Sequence, residues 1–129
     1  MAEADRGSRP LSPHLSIYKP EISSTMSVFH RITGVGLTLA AVLVVWWFLA
    51  ASIGPESFAL ADGVLTSWFG GLVLIASLAA FWYHFCNGIR HLWWDTGNGF
   101  ALDAVTKTGF AALAGTFILF LVTLFFAHT

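Results

Sequence analysis

Charge is scarce along this chain of 129 residues, and its scarcity sets the solvent. Charged residues make up 10% of the sequence and hydrophobic residues 57%, whereas a water-soluble domain carries roughly 25% charged residues. Three runs hold no Asp, Glu, Lys or Arg at all: Ile32 to Gly54, Gly63 to Ile89, and Thr108 to Thr129. Each exceeds the ~20 residues that a helix needs to cross a hydrocarbon core of ~30 Å. The expected fold is an all-α membrane protein with three transmembrane helices, spanning about 32–54, 63–89 and 108–127. Too little chain remains for a second domain, so any water-soluble chemistry belongs to other chains.

Other absences narrow the function. A single cysteine, Cys86, excludes a disulfide within the chain, and inside the second span it packs rather than reacts. There is no metal-ligand spacing of the zinc type, no nucleophile triad, no phosphate loop and no basic run for nucleic acid. The start, Met1 to Pro10, is polar, carries Glu3 and Asp5, and lacks the apolar stretch of a signal peptide. That acidic start also argues against an uncleaved mitochondrial transit peptide. The expected location is therefore a bacterial cytoplasmic membrane rather than the inner membrane of a mitochondrion.

The few basic residues are informative through their placement. Arg6, Arg9, Lys19 and Arg31 precede the first span, Arg90 and Lys107 flank the second loop, and the first loop, Pro55 to Asp62, has none. Positive charge stays on the cytoplasmic side, or the matrix side in an organelle. The N-terminus and the second loop are thus expected to face the cytoplasm and the C-terminus the opposite side. Ahead of the spans, Pro10, Pro13 and Pro20 interrupt residues 1–22 and hold them extended. With Leu11, Leu15, Ile17 and Tyr18 interspersed, this segment reads as a docking strand for a partner, the alternative being a loose tail. Residues 23–129 then form the membrane-anchor domain, with N-cap candidates from Ser23 onward. Trp46, Trp47, Trp68, Trp93 and Trp94 fall near span ends, where indole rings anchor to the interface.

Ionisable groups near the spans are where function is expected. His84 lies six residues before Arg90, about 9 Å inside the cytoplasmic end of the second span. A buried neutral histidine that merely bonds a neighbouring helix is the plain reading; the costliness of polar groups in lipid favours a ligand or proton role instead. His91 follows seven residues on, two turns away on nearly the same face. Two imidazoles so separated cannot be the two axial ligands of one haem iron, whose bonds are about 2 Å long. If His84 binds haem, the other ligand comes from His30, from a partner chain, or from nothing. His91 sits at headgroup level with Arg90 and Arg31, a cationic setting suited to haem propionates or an anionic lipid. On the first helix Ser27, His30, Arg31 and Gly34 share a face. A hydroxyl and a guanidinium one turn apart can grip a carbonyl oxygen and stabilise the negative charge that reduction puts on it. Alone, Arg31 would read as an interfacial anchor snorkelling to headgroups.

The motif SVFHRITG at Ser27 to Gly34, followed about fifty residues later by HFCNGIRHLWWD at His84 to Asp95, resembles the cytochrome b556 membrane-anchor subunits of succinate dehydrogenase. RPLSPHLSIYKP at Arg9 to Pro20 is similar to their N-terminal segment. The likeness runs from Arg9 to the end of the third span, with no departure at the motif positions. It implies that His84 is an axial ligand of haem b, the other being supplied by a second anchor subunit. It also implies that Ser27 and Arg31 bind ubiquinone, and that His30, Arg31 and His91 lie near the haem propionates. The remaining partners implied are an iron-sulfur subunit and a flavoprotein subunit that oxidises succinate, so this chain would hold quinone and haem but no succinate. Three other readings stay open: the anchor of a quinol:fumarate reductase, a small transporter or proton-relay subunit, and a structural anchor that binds nothing. The lack of any acidic residue within the spans weighs against the relay.

Topology is directly testable. A reporter fused after Thr129 should be active on the periplasmic side, and one placed between Asp95 and Asp103 on the cytoplasmic side. The reverse pattern would overturn the orientation.

Overall fold

The computed structural model describes residues 18–129. The expectation of a docking strand concerns mostly residues 1–17, which lie outside the described part. Four helices follow one another: α1, Ile22–Ile53; α2, Pro55–Leu65; α3, Trp68–Asp95; and α4, Leu102–His128. The described residues form no strand, and α1, α3 and α4 are each long and apolar enough to cross a membrane. The chain is an integral membrane protein with an all-α fold.

Helix α1 starts directly after Pro20, with Glu21 at the N-cap and no side chain capping it. Ser23, Ser24 and Thr25 lie inside the first turn rather than capping it, because Glu21 is extended and its carbonyl already receives the Thr25 amide at 3.0 Å. With 32 residues, α1 is about 48 Å long, so the ten residues ahead of Ile32 project it some 15 Å beyond the charge-free run. Ser27, His30 and Arg31 ride on this projecting part.

The segment expected as the first loop is helical. Gly54 turns the chain with φ 149, Pro55 opens α2 at its first turn, and Trp47 Nε1 donates to Asp62 Oδ1 at 3.3 Å. The second long helix accordingly begins at Trp68 and not at Gly63. Absence of charge marks a run as apolar but does not mark a break within it. The break was signalled by Thr66 and Ser67: the Ser67 hydroxyl accepts the Gly70 amide at 3.1 Å as the N-cap of α3. Gly70 admits the tight corner, since a Cβ there would overlap the carbonyls of Val64 and Leu65.

Helix α3 is central and packs on α1, α2 and α4. Its polarity is inside-out. The buried polar residues of the described chain are Asn87 and Arg90 on α3, whereas Val35, Leu39, Phe48, Phe117 and Phe126 stand exposed. Lipid or apolar partner surface is the only medium in which such an exterior is stable. Arg90 is 4% exposed and points at α4. Its Nε donates to Thr108 Oγ1 at 3.2 Å, one terminal nitrogen to Val105 O at 3.0 Å and the other to Asn87 Oδ1 at 3.3 Å. The guanidinium also lies 4.1 Å from the centre of the Trp94 ring. Arg90 thus clamps α3 to α4, and it borders His91 through their shared neighbours Asn87 and Trp94.

Small residues let this clamp close. A Cβ on Gly109 would stand 3.2 Å from Met26 Sδ, and one on Gly115 3.4 Å from Cys86 Sγ, so α4 approaches both neighbours through glycine. Cys86 is a packing residue here.

Arg90→Leu should leave Asn87 Oδ1 and Thr108 without their buried donor, a loss of about 1.5–3 kcal/mol for a charged hydrogen bond. Thermal unfolding of the assembled complex in detergent should show a lowered Tm. An unchanged Tm would remove Arg90 from the packing of α3 on α4.

Candidate functional site

The polar residues of α1 and α3 converge near the start of α1. Helix α1 presents Met26, His30, Thr33 and Leu37 toward α3 at three- and four-residue spacing, and α3 answers with Tyr83, His84, Asn87 and His91. Tyr83 donates its phenol to Met26 O at 2.7 Å. Two turns of each helix are thereby locked in register.

Against this frame the imidazole of His84 is held on one edge. Its Nδ1 lies 3.1 Å from His30 O and 3.2 Å from Thr33 Oγ1. A carbonyl carries no proton, so Nδ1 must be the donor. The Thr33 hydroxyl spends its own proton on Phe29 O at 2.8 Å or His30 O at 3.0 Å, which leaves its lone pairs to accept. A neutral His84 with its hydrogen on Nδ1 keeps an open lone pair on Nε2, and Nε2 has no partner among the described residues. Gly34 makes room for the ring: a Cβ there would meet His84 Cε1 at 3.1 Å.

His30 fills the gap between the other two histidines. Its ring stacks on His84 with centroids 3.8 Å apart and planes 11° from parallel, and lies 4.9 Å from His91 at 44°. His91 Nε2 and Asn87 Nδ2 are 3.4 Å apart, and the ring meets Trp94 edge-on. His30 Nδ1 is buried with no hydrogen-bond partner among the described residues, as is Trp94 Nε1. An unpaired buried nitrogen is costly enough to point to a missing acceptor or donor. Face-to-face stacking also bears on ligation. Rings stacked at 3.8 Å leave no room for a metal ion between them.

Beside His84 an apolar groove of ≈ 900 Å³ runs between α1 and α3. Its α1 wall includes Gly34, Thr38, Ala41 and Val45, and its α3 wall Ser77 and Phe81. Arg31 and Ser27 continue the same α1 stripe one and two turns toward the N-terminus, at the spacing 27, 31, 34, 38, 41, 45. They flank the histidine column rather than joining it. Ser27 is half-buried and Arg31 exposed. The ion pair among the described residues is Lys107 with Asp103 at 3.3 Å on the surface, so no described carboxylate neutralises Arg31.

Of the residues marked out from the sequence, His30, His84 and His91 are thus brought into one column, with Ser27 and Arg31 at its side. Thr33, Tyr83 and Asn87 were missed. Thr33 lies three residues from His30 and Asn87 three from His84, so helical spacing alone could have found both. No group of three or more His, Cys, Asp or Glu among the described residues is arranged to hold a metal by itself. A metal bound here through His84 would need other ligands.

Comparison with known proteins decides the family. The model of the succinate dehydrogenase/fumarate reductase transmembrane subunit matches residues 5–123. The chain belongs to that family. It is 43% identical over 124 residues to the succinate dehydrogenase cytochrome b556 subunit of Paracoccus denitrificans, covering 96% of this chain and 95% of that one. The same subunit of Rickettsia conorii is 43% identical over 111 residues, 86% of each chain. The succinate dehydrogenase cytochrome b560 subunit of Reclinomonas americana is 36% identical over 119 residues, covering 88% of this chain and 83% of that one. Relatives of this family therefore occur in bacteria and in a eukaryote.

Proposed function

We propose that this chain is the cytochrome b anchor subunit of a succinate:ubiquinone oxidoreductase, binding haem b jointly with a second anchor subunit and forming part of the ubiquinone-reduction site. The observation that carries the reading is His84, whose Nδ1–H is committed to α1 while Nε2 stays open beside an apolar groove. That is the state in which an imidazole binds iron. The relatives' names, cytochrome b556 and cytochrome b560 subunits of succinate dehydrogenase, support it.

The residues present fit a haem. His84 would supply one ligand nitrogen, the apolar groove the flat approach beside it, and His30 Nδ1, unpartnered among the described residues, a donor for a propionate, with Arg31 and His91 on the same two helices. When bound, the haem supplies a one-electron store close to the quinone. A second ligand would come from the other anchor subunit, since His30 is stacked on the His84 ring and His91 lies on the far side of His30.

Ser27 and Arg31 take the quinone. The hydroxyl donates to a ubiquinone carbonyl, and the guanidinium, which no described carboxylate neutralises, stabilises the negative charge that builds on that oxygen as electrons arrive. Both sit on the projecting part of α1, the side expected to face the cytoplasm, where the iron-sulfur subunit would dock and carry the flavoprotein subunit. Succinate itself is oxidised there, away from this chain. The reverse, quinol:fumarate direction uses the same parts, and the relatives named for succinate dehydrogenase favour the forward one. The expected site of assembly is a bacterial cytoplasmic membrane.

Substituting His84 by Leu should abolish or alter the low-spin b-type signal in a reduced-minus-oxidised spectrum of the purified complex, while His91→Leu should perturb it less. A wild-type spectrum in the His84 variant would remove the ligand assignment.

For the quinone, Ser27→Ala and Arg31→Leu should lower succinate-to-quinone electron transfer while succinate oxidation with a soluble dye persists. Loss of one charge-assisted hydrogen bond is worth about 1.5–3 kcal/mol, roughly ten- to a hundredfold in rate if the bond forms mainly in the transition state. Arg31 should matter more than Ser27. Equal loss of both activities would indicate failed assembly, and undiminished quinone reduction in Arg31→Leu would take Arg31 out of the site.

A further inference from the structure

Thr33 bonds directly to the His84 ring, yet neither ligation nor quinone binding accounts for it. It is half-buried on α1, and its Oγ1 reaches across to α3. The acceptors around His84 Nδ1 are over-subscribed. In a continuous helix His30 O already receives the Gly34 amide, and it has two lone pairs for that amide, the Thr33 hydroxyl and the His84 Nδ1–H. The conflict resolves if Thr33 turns its proton to Phe29 O, the shorter contact at 2.8 Å against 3.0 Å to His30 O. His30 O is then released for His84, and Thr33 Oγ1 itself becomes the second acceptor of the same Nδ1–H at 3.2 Å.

We infer that Thr33 is a positioning residue for His84: beside His30 O, which already sets the Nδ1–H tautomer, it adds a second acceptor that holds the ring plane against Gly34 and raises the electron-donating power of Nε2. The inference rests on His84 being a haem ligand. An acceptor on Nδ1–H draws that proton away from the ring and gives the imidazole partial imidazolate character. A more basic Nε2 stabilises ferric over ferrous iron, so Thr33 lowers the haem midpoint potential. Outer-shell partners of this kind typically change metal affinity by ten- to a hundredfold.

The test uses the whole assembled complex in detergent. Thr33→Val keeps the side-chain shape and removes the acceptor; Thr33→Ala removes it with a residue that favours the helix; Thr33→Ser retains it. The expected result is a raised haem midpoint potential in redox titration for Thr33→Val and Thr33→Ala. Both should also show an altered ferric low-spin EPR signature, and haem should be lost from the complex about ten- to a hundredfold more readily. Thr33→Ser should restore the wild-type potential, and Thr106→Val, which removes a back-bonded hydroxyl from the far surface of α4, should leave it unchanged. Should Thr33→Val fail to assemble, Thr33→Ala decides alone.

Potential and EPR signature unchanged in Thr33→Ala would overturn the inference while leaving His84 as ligand. An equal shift in Thr33→Ser would overturn it too, since the hydroxyl would then be immaterial. A normal haem spectrum in His84→Leu would instead defeat the underlying assignment.

Discussion

The contact on which this architecture turns is the edge of one imidazole against one helix backbone. His84 lies on Gly34 with its Nδ1–H given to His30 O and Thr33 Oγ1, which ties α3 to α1 just inside the apolar region. Several consequences follow from that single attachment. The tautomer is set, the free nitrogen is left without a described partner, and the ring face is covered by His30, stacked at 3.8 Å. A Cβ at position 34 would stand 3.1 Å from the ring and oblige it to shift, so the glycine belongs to the site with the histidine.

Around this contact the bundle inverts the polarity of a soluble protein. With hydrocarbon outside, apolar side chains gain little from burial, and cohesion passes to small-residue contacts and interhelical polar bonds. Arg90 shows how far this goes. Its charge is sustained inside because Asn87, Thr108, Val105 and the face of Trp94 together take the place of water. The Trp82 indole bonded to Thr123 at 2.9 Å repeats the device further along the same pair of helices. The exposed exterior of α1 and α4 is then available to lipid and to partner subunits.

Two functions can share α1 without competing because a helix has sides. His30 and Thr33 turn toward α3, whereas Ser27 and Arg31 lie on the adjoining stripe that runs into the groove through Gly34, Thr38 and Ala41. Under the proposed function this puts the quinone grip next to the haem ligand but on separate residues. One helix face positions a ligand from the neighbouring helix, and the next meets the substrate. Length matters as well, since only a helix that projects beyond the hydrocarbon can hold such polar residues at low cost.

What could be read from residues alone was whatever depends on local period and solvent. Charge-free runs longer than a bilayer is thick require spanning helices, because unpaired backbone is intolerable in lipid. The HRITG and GIRH motifs marked the histidines for the same reason that any ionisable group in a span stands out. Local pattern was silent where a choice lay between equally apolar alternatives. The end of α2 and the start of α3 fall within one uncharged stretch, and Arg90 next to His91 could not reveal that the two side chains point to different helices. Adjacent residues on a helix diverge by about 100°, so which neighbour each one meets depends on how the helices are packed. That packing alone decided that Arg90 is a structural clamp, that His30 separates His84 from His91, and that Thr33 touches a ring fifty-one residues away. Sequence determined which groups must be protected from lipid; tertiary structure determined which partner protects each one, because hydrogen bonds between helices are made across space and leave no period in the chain.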